Sequence, residues 1–102
     1  MGKIAKILAM IQLTQKTAPQ IAEDIALRVQ KRRKERHLTQ SELSTKAGVS
    51  FASYKRFEQK HEISFGSLIK IAIALDMEKD FESLFATPQF STIEEMFASE
   101  KN

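Results

Sequence analysis

The stretch Thr39–Glu58, TQSELSTKAGVSFASYKRFE, decides how the chain is read. Thr39 and Glu42 have the T-x-x-E spacing of a capping box, in which a hydroxyl and a carboxylate satisfy free N–H groups at the start of a helix. The helix so opened is predicted to run to about Ala47 and to bury Leu43 and Ala47. Gly48 ends it, because glycine takes the left-handed backbone of a sharp turn without steric cost. Val49 fills the corner, and Ser50 caps a second helix. On that helix Tyr54 and Phe57 face inward, with Phe51 at the edge of the same face. Two short capped helices joined by a tight turn form a helix-turn-helix.

The second helix has two unlike faces. Ala52, Lys55, Arg56 and Gln59 turn outward, opposite Tyr54 and Phe57. A helix lying in the DNA major groove needs an apolar face to anchor it and an opposite face of long donors to reach base edges. The competing reading is an ordinary charged surface helix. Glu58 falls on the inward side, where a carboxylate needs a partner.

That partner comes from upstream. Thr17-Ala-Pro-Gln has the T-x-x-Q spacing of another capping box and places Pro19 in the first turn, where its missing N–H costs nothing. Ile21, Ile25 and Val29 form one stripe along the helix that follows. Four residues further the stripe reaches Arg33, so a guanidinium is predicted to point inward at Glu58. Loss of either partner would strand a buried charge. Arg28, Lys31, Arg32, Lys34 and Arg36 lie on the outer faces, either as a solvated charged surface or within reach of a phosphate backbone.

Downstream, Ser64 is predicted to cap a central helix, apolar almost all round through Leu68, Ile69, Ile71, Ala72, Ile73 and Leu75. Asp80 is predicted to cap the next, with Phe81, Leu84 and Phe85 closing the core. Pro88 then breaks the chain. Residues 17–86 therefore form the domain, with its motif at 39–58, and residues 1–16 and 87–102 flank it. Ile4, Ile7, Leu8 and Ile11 give the N-terminal segment a narrow apolar stripe, and such a short helix needs a surface or a second copy to pack on. Ser91 and Glu94 make a third T/S-x-x-E/Q box opening a short C-terminal helix, with Ile93, Met96 and Phe97 apolar. This helix packs back on the domain or meets a partner.

The remaining composition narrows the function. One small core is within reach of 102 residues at 42% hydrophobic content. Absence of cysteine excludes disulfides and thiolate metal sites. The net charge of +3 conceals an asymmetry: residues 28–61 carry ten Lys/Arg against three Glu, and residues 67–102 three Lys against seven acids. A basic centre of this kind attracts polyanions. No apolar run reaches the roughly 18 residues of a membrane span, and the apolar stretch after Lys3 and Lys6 is too short for a signal peptide, which points to a cytoplasmic protein. Enzymatic chemistry is not expected: no H-E-x-x-H includes His37 or His61, and the three glycines form no phosphate loop. Asp76, Glu78 and Asp80 alternate as in a calcium loop, but the central Gly and the closing Glu are missing. No catalytic residue, metal or cofactor is assigned.

From Val29 to Phe85 the chain resembles the lambda repressor and Cro type of helix-turn-helix protein, the Xre family. The resemblance rests on Arg33, LTQSEL at 38–43, AGVS at 47–50, YKRFE at 54–58 and SLIKIAIAL at 67–75. It implies an all-α, lambda-repressor-like five-helix DNA-binding domain, here with an N-terminal helical extension and a short C-terminal helix. It also implies that Gln40 contacts phosphate and base edge, that Ser50 caps and contacts phosphate, that Phe51, Ala52, Lys55 and Arg56 face bases, and that Arg33 and Glu58 form a buried ion pair. Three departures stand out. Ser44 replaces a small apolar residue, Lys60 and His61 stand where the family usually has a glycine, and Phe51 replaces a polar base reader. The function implied is a repressor binding palindromic double-stranded DNA as a homodimer. A narrower resemblance, in SYKRFEQKHEIS and the Phe-rich tail, is to HipB-like antitoxins, which bind a HipA-like toxin kinase and repress their own operon.

Overall fold

The computed structural model describes residues 2–6, 15–89, 93, 97 and 98. Its domain is built from five helices: α1 (Ala18–Glu35), α2 (Gln40–Ala47), α3 (Phe51–Lys60), α4 (Phe65–Ala74) and α5 (Lys79–Glu82). No strand occurs among the described residues. Residues 2–6 are also helical, with Ile4 exposed. Ile7, Leu8 and Ile11 of the predicted N-terminal stripe, and Ser91, Glu94 and Met96 of the predicted C-terminal helix, lie outside the described residues.

Local sequence chemistry sets most of the helix starts. The Thr17 hydroxyl accepts from the Gln20 N–H while the Gln20 side chain accepts from the Thr17 N–H, and Thr39 and Glu42 repeat this exchange at α2. Ser50 and Ser64 each accept from the N–H three residues on, at Ser53 and Ser67. Each bond satisfies a helix-terminal donor that would otherwise need water. The start of α5 differs from expectation. Glu78 precedes it in helical backbone with no side-chain cap, and Asp80 lies inside its first turn. An acidic group there still favours the positive end of a helix.

The core forms where α2 packs on α3 and α4, with α1 against α3. Ala26, Leu43, Val49, Tyr54, Phe57, Ile71, Ala74 and Leu75 are its buried members, with Ile25, Val29, Leu38, Ala47, Ile63, Leu68 and Met77 packed around them. Tyr54 and Phe57 meet edge to face at 6.2 Å between ring centres, a favourable aromatic geometry. Ser44 is buried without cost in satisfaction, since its hydroxyl donates to the Ser41 carbonyl at 2.8 Å.

Four expected core residues are outside it. Ile21 is 48% exposed, because α1 begins a turn before it meets the other helices and Ala26 takes the buried place. Ile73 is exposed on the outer side of α4, so that helix is not covered all round. Leu84 is 45% and Phe85 95% exposed, because α5 ends at Glu82 and the chain leaves the core there. Phe81 alone of the three stays partly covered, edge to face with Phe65 at 5.8 Å.

The helix ends show how the departures at Lys60 and His61 are resolved. Lys60 completes α3, and His61 takes the left-handed backbone, φ 63°, while its N–H donates to the Phe57 carbonyl at 2.8 Å. Gly48 does the same after α2 at φ 70°. An L-residue with a Cβ is strained in this region, whereas glycine is not. His61→Gly is therefore expected to raise the unfolding free energy by about 1 kcal/mol, read from urea denaturation.

Candidate nucleic-acid interface

The interface is positioned by a polar cluster behind α3. Arg33, near the end of α1, donates from Nε to Glu58 Oε2 at 2.8 Å and from Nη2 to Glu58 Oε1 at 3.1 Å. Its Nη1 donates to the Leu38 carbonyl at 2.8 Å, holding the α1–α2 connection. Gln40 Nε2, in the first turn of α2, donates to Glu58 Oε1 at 3.0 Å. One carboxylate on α3 is thus bound from α1 and α2 together. The Arg33 and Glu58 side chains are 10% and 3% exposed. At such burial two parallel charge-assisted bonds in a planar fork offset the loss of water.

The protonation equilibria follow from this packing. Burial alone would raise the Glu58 carboxyl, but hydrogen bonding from Arg33 and Gln40, with the Tyr54 hydroxyl close by, outweighs it and holds the group below its usual value near 4.5. Glu58 in turn stabilises the charged Arg33 guanidinium, its hydrogen bonding outweighing burial. Burial, with the neighbouring Glu58 carboxylate, pushes the Tyr54 phenol well up. The Tyr54 hydroxyl is buried and lacks a hydrogen bond of normal geometry. It lies beside Glu58 within the same cluster.

The opposite side of α3 faces solvent. Phe51, Ala52, Lys55, Arg56 and Gln59 are all exposed, while Tyr54 and Phe57 are buried. Ser50, exposed at the helix start, donates its hydroxyl to the Ser53 hydroxyl at 2.7 Å and accepts from the Ser53 N–H. Gln40 sits half-buried at the start of α2, engaged with Glu58 rather than standing free. One side-chain N–H and the carbonyl oxygen of its amide remain for another partner. Phe51, Ala52, Lys55, Arg56 and Gln59 thus lie on the exposed side of one helix that Ser50 caps, whereas Gln40 is engaged with Glu58 behind it.

Two exposed ion pairs have no counterpart in the sequence pattern. Arg56 Nη2 lies 2.8 Å from Glu62 Oε2, and Arg36 Nη1 2.8 Å from Asp76 Oδ2. The first crosses the end of α3 and the second joins the C-terminal ends of α1 and α4, contacts that helical spacing does not predict. Hydrogen bonding to Arg56 and to Arg36 lowers the Glu62 and Asp76 carboxyls respectively. Lys16, just before α1, pairs with Asp24 on it. Asp76, Glu78 and Asp80 do not converge: no acidic or His cluster of metal-binding form occurs among the described residues. No helix among them is long and apolar enough to cross a membrane.

A small all-α domain that exposes a capped helix with a cationic outer face, clamped from behind by a buried ion pair, defines the DNA-binding helix-turn-helix class. The helix-turn-helix family model matches residues 29–81, just over half of the chain, and the chain belongs to this family, in its lambda repressor and Cro (Xre) branch. No curated protein and no solved structure matches it. Family membership makes the chain a DNA-binding regulator.

Removal of either partner of the Glu58 cluster tests its weight. Glu58→Ala is expected to cost about 3–5 kcal/mol of stability, because Arg33 is left buried and unpaired. Gln40→Ala is expected to cost less, about 1.5–3 kcal/mol, as it deletes one bond to a charged group. The sign of the pH dependence follows from the lowered Glu58 carboxyl. Its contribution is fully present above the unfolded value near 4.5 and is lost as pH falls through the lower folded value. Denaturation midpoints from pH 7 down to 3 should fall more steeply for the wild type than for Glu58→Gln.

Proposed function

We propose that this chain is a sequence-specific transcriptional repressor that binds a palindromic operator as a homodimer and acts without catalysis, in the cytoplasm. The observation that carries this reading is the division of α3, with Tyr54 and Phe57 buried and Ala52, Lys55, Arg56 and Gln59 exposed. Inserted in the major groove, Lys55 and Arg56 supply the long cationic donors for guanine O6 and N7, and Gln59 supplies an amide suited to adenine. Phe51 and Ala52 present apolar groups along the same line that suit a thymine methyl. Ser50 and Gln40, at the starts of α3 and α2, stand where helix N-termini favour backbone phosphates.

The homodimer is supported by apolar side chains that the domain leaves uncovered. Ile4 is exposed towards one terminus, and Ile93 and Phe97 towards the other. The exposed Ile93 and Phe97 also favour a second reading. In it the chain is an antitoxin whose C-terminal segment holds a HipA-like toxin kinase while the domain represses the shared operon. Co-purification with a kinase encoded beside it tests that reading, and a genomic neighbourhood lacking such a kinase argues against it.

Selection of binding sites from a random duplex pool tests the main reading. Enrichment of an inverted repeat with half-sites about 34 Å apart is expected for a symmetric dimer. A single unrepeated half-site would contradict dimeric binding, and no enrichment would contradict sequence reading. On the selected site Lys55→Ala and Arg56→Ala should each cost about 1–3 kcal/mol. On scrambled duplex the loss should be smaller, measured by fluorescence anisotropy at one salt concentration. Equal loss on both duplexes would show that neither residue reads bases.

A further inference from the structure

The two long cations of the outer α3 face are held differently. Lys55 makes no ion pair among the described residues, whereas Arg56 is joined to Glu62 through Nη2 and Oε2 at 2.8 Å. Both members of that pair are about two-thirds exposed, at 65% and 66%. An exposed pair of this kind contributes little to folding, since solvent screens it and two long side chains lose freedom. Its geometry is nonetheless built into the chain. Glu62 lies six residues beyond Arg56, past the end of α3, and comes back beside it because His61 turns the backbone through the left-handed region at φ 63°. Arg56 and Glu62 then line an open cleft of about 260 Å³ with Ser53, Ile63, Ser64 and Ser67.

The consequence for DNA binding lies in which donors remain. A guanidinium has five N–H donors in a fixed fork. Glu62 engages one nitrogen, and the remaining donors stay free for a bidentate contact. The carboxylate also neutralises Arg56 towards distant phosphates and repels any phosphate that approaches this edge of the helix. Both effects act against non-specific binding, which is almost wholly a matter of phosphate neutralisation. Neither acts against a base contact made through the free donors.

We infer that Glu62 is a positioning residue for DNA discrimination: it orients Arg56 towards a base edge and withholds its charge from non-specific phosphate contacts. This rests on the proposed base-reading role of Arg56. It differs from that role in assigning specificity to a carboxylate that itself touches no base.

The test uses the full chain and the isosteric Glu62→Gln variant, which keeps the side-chain shape and removes its charge. Affinity is measured by anisotropy for the selected site and for scrambled duplex over a range of salt. The ratio of specific to non-specific affinity is expected to fall by about threefold to tenfold, chiefly through tighter non-specific binding. The salt dependence on scrambled duplex should steepen by about 0.9 in logarithmic slope, as the released Arg56 neutralises one more phosphate. A purely structural role for Glu62 would move the melting temperature and leave the slope alone. An unchanged ratio overturns the inference. Arg56→Ala separates the two levels: if it leaves the ratio at the wild-type value, the base-reading role of Arg56 itself fails. If Arg56→Ala lowers the ratio while Glu62→Gln does not, Arg56 reads bases and only the part assigned to Glu62 is wrong.

Discussion

One buried carboxylate constrains this domain. Glu58 receives hydrogen bonds from Arg33 on α1 and Gln40 on α2, and Arg33 also holds the Leu38 carbonyl between them. A nearly covered charge admits few arrangements, because each missing bond leaves a desolvated group uncompensated. Rotation of α3 about its axis would break the fork, and sliding would separate Glu58 from Gln40. The cluster therefore sets the orientation of α3 against the rest of the domain, and with it which residues face outward. Apolar packing of Tyr54 and Phe57 supplies attraction but is less particular about angle.

This gives Gln40 a double position. Its amide is bound to the cluster that fixes α3, and it stands half-buried in the first turn of α2 with hydrogen-bonding groups to spare. Loss of Gln40 would thus disturb the support of α3. Similar economy is visible at His61. Its strained backbone ends α3 and returns Glu62 to Arg56, so the cost of a left-handed residue is linked to the arrangement of the outer face.

Much of the fold was legible because it depends on short-range chemistry. The caps at Thr17, Thr39, Ser50 and Ser64 involve residues three apart, and Gly48 marks its own turn. The Arg33 partner was legible for a different reason, since a charge interrupting an apolar stripe demands another charge on an inward face. Legibility ended where position depends on where a helix stops in space. Ile21, Leu84 and Phe85 fit an apolar pattern but lie beyond the reach of the other helices. Asp80 suits a cap by type, yet α5 starts one residue before it. For the outer face, helical spacing identified Lys55, Arg56 and Gln59. It gave no sign of the Arg56 and Glu62 pair, because that pair crosses a helix end.

The most direct measurement of groove insertion is a titration of isotopically labelled protein with its selected duplex, followed through backbone amide and arginine side-chain resonances. Insertion of α3 predicts the largest shifts at Ser50–Gln59 and at the Arg56 guanidinium, with smaller shifts at Gln40 and little change at Ile73 on the outer side of α4. Shifts centred on Phe65 and Ile73, with Ala52, Lys55, Arg56 and Gln59 unmoved, would contradict it.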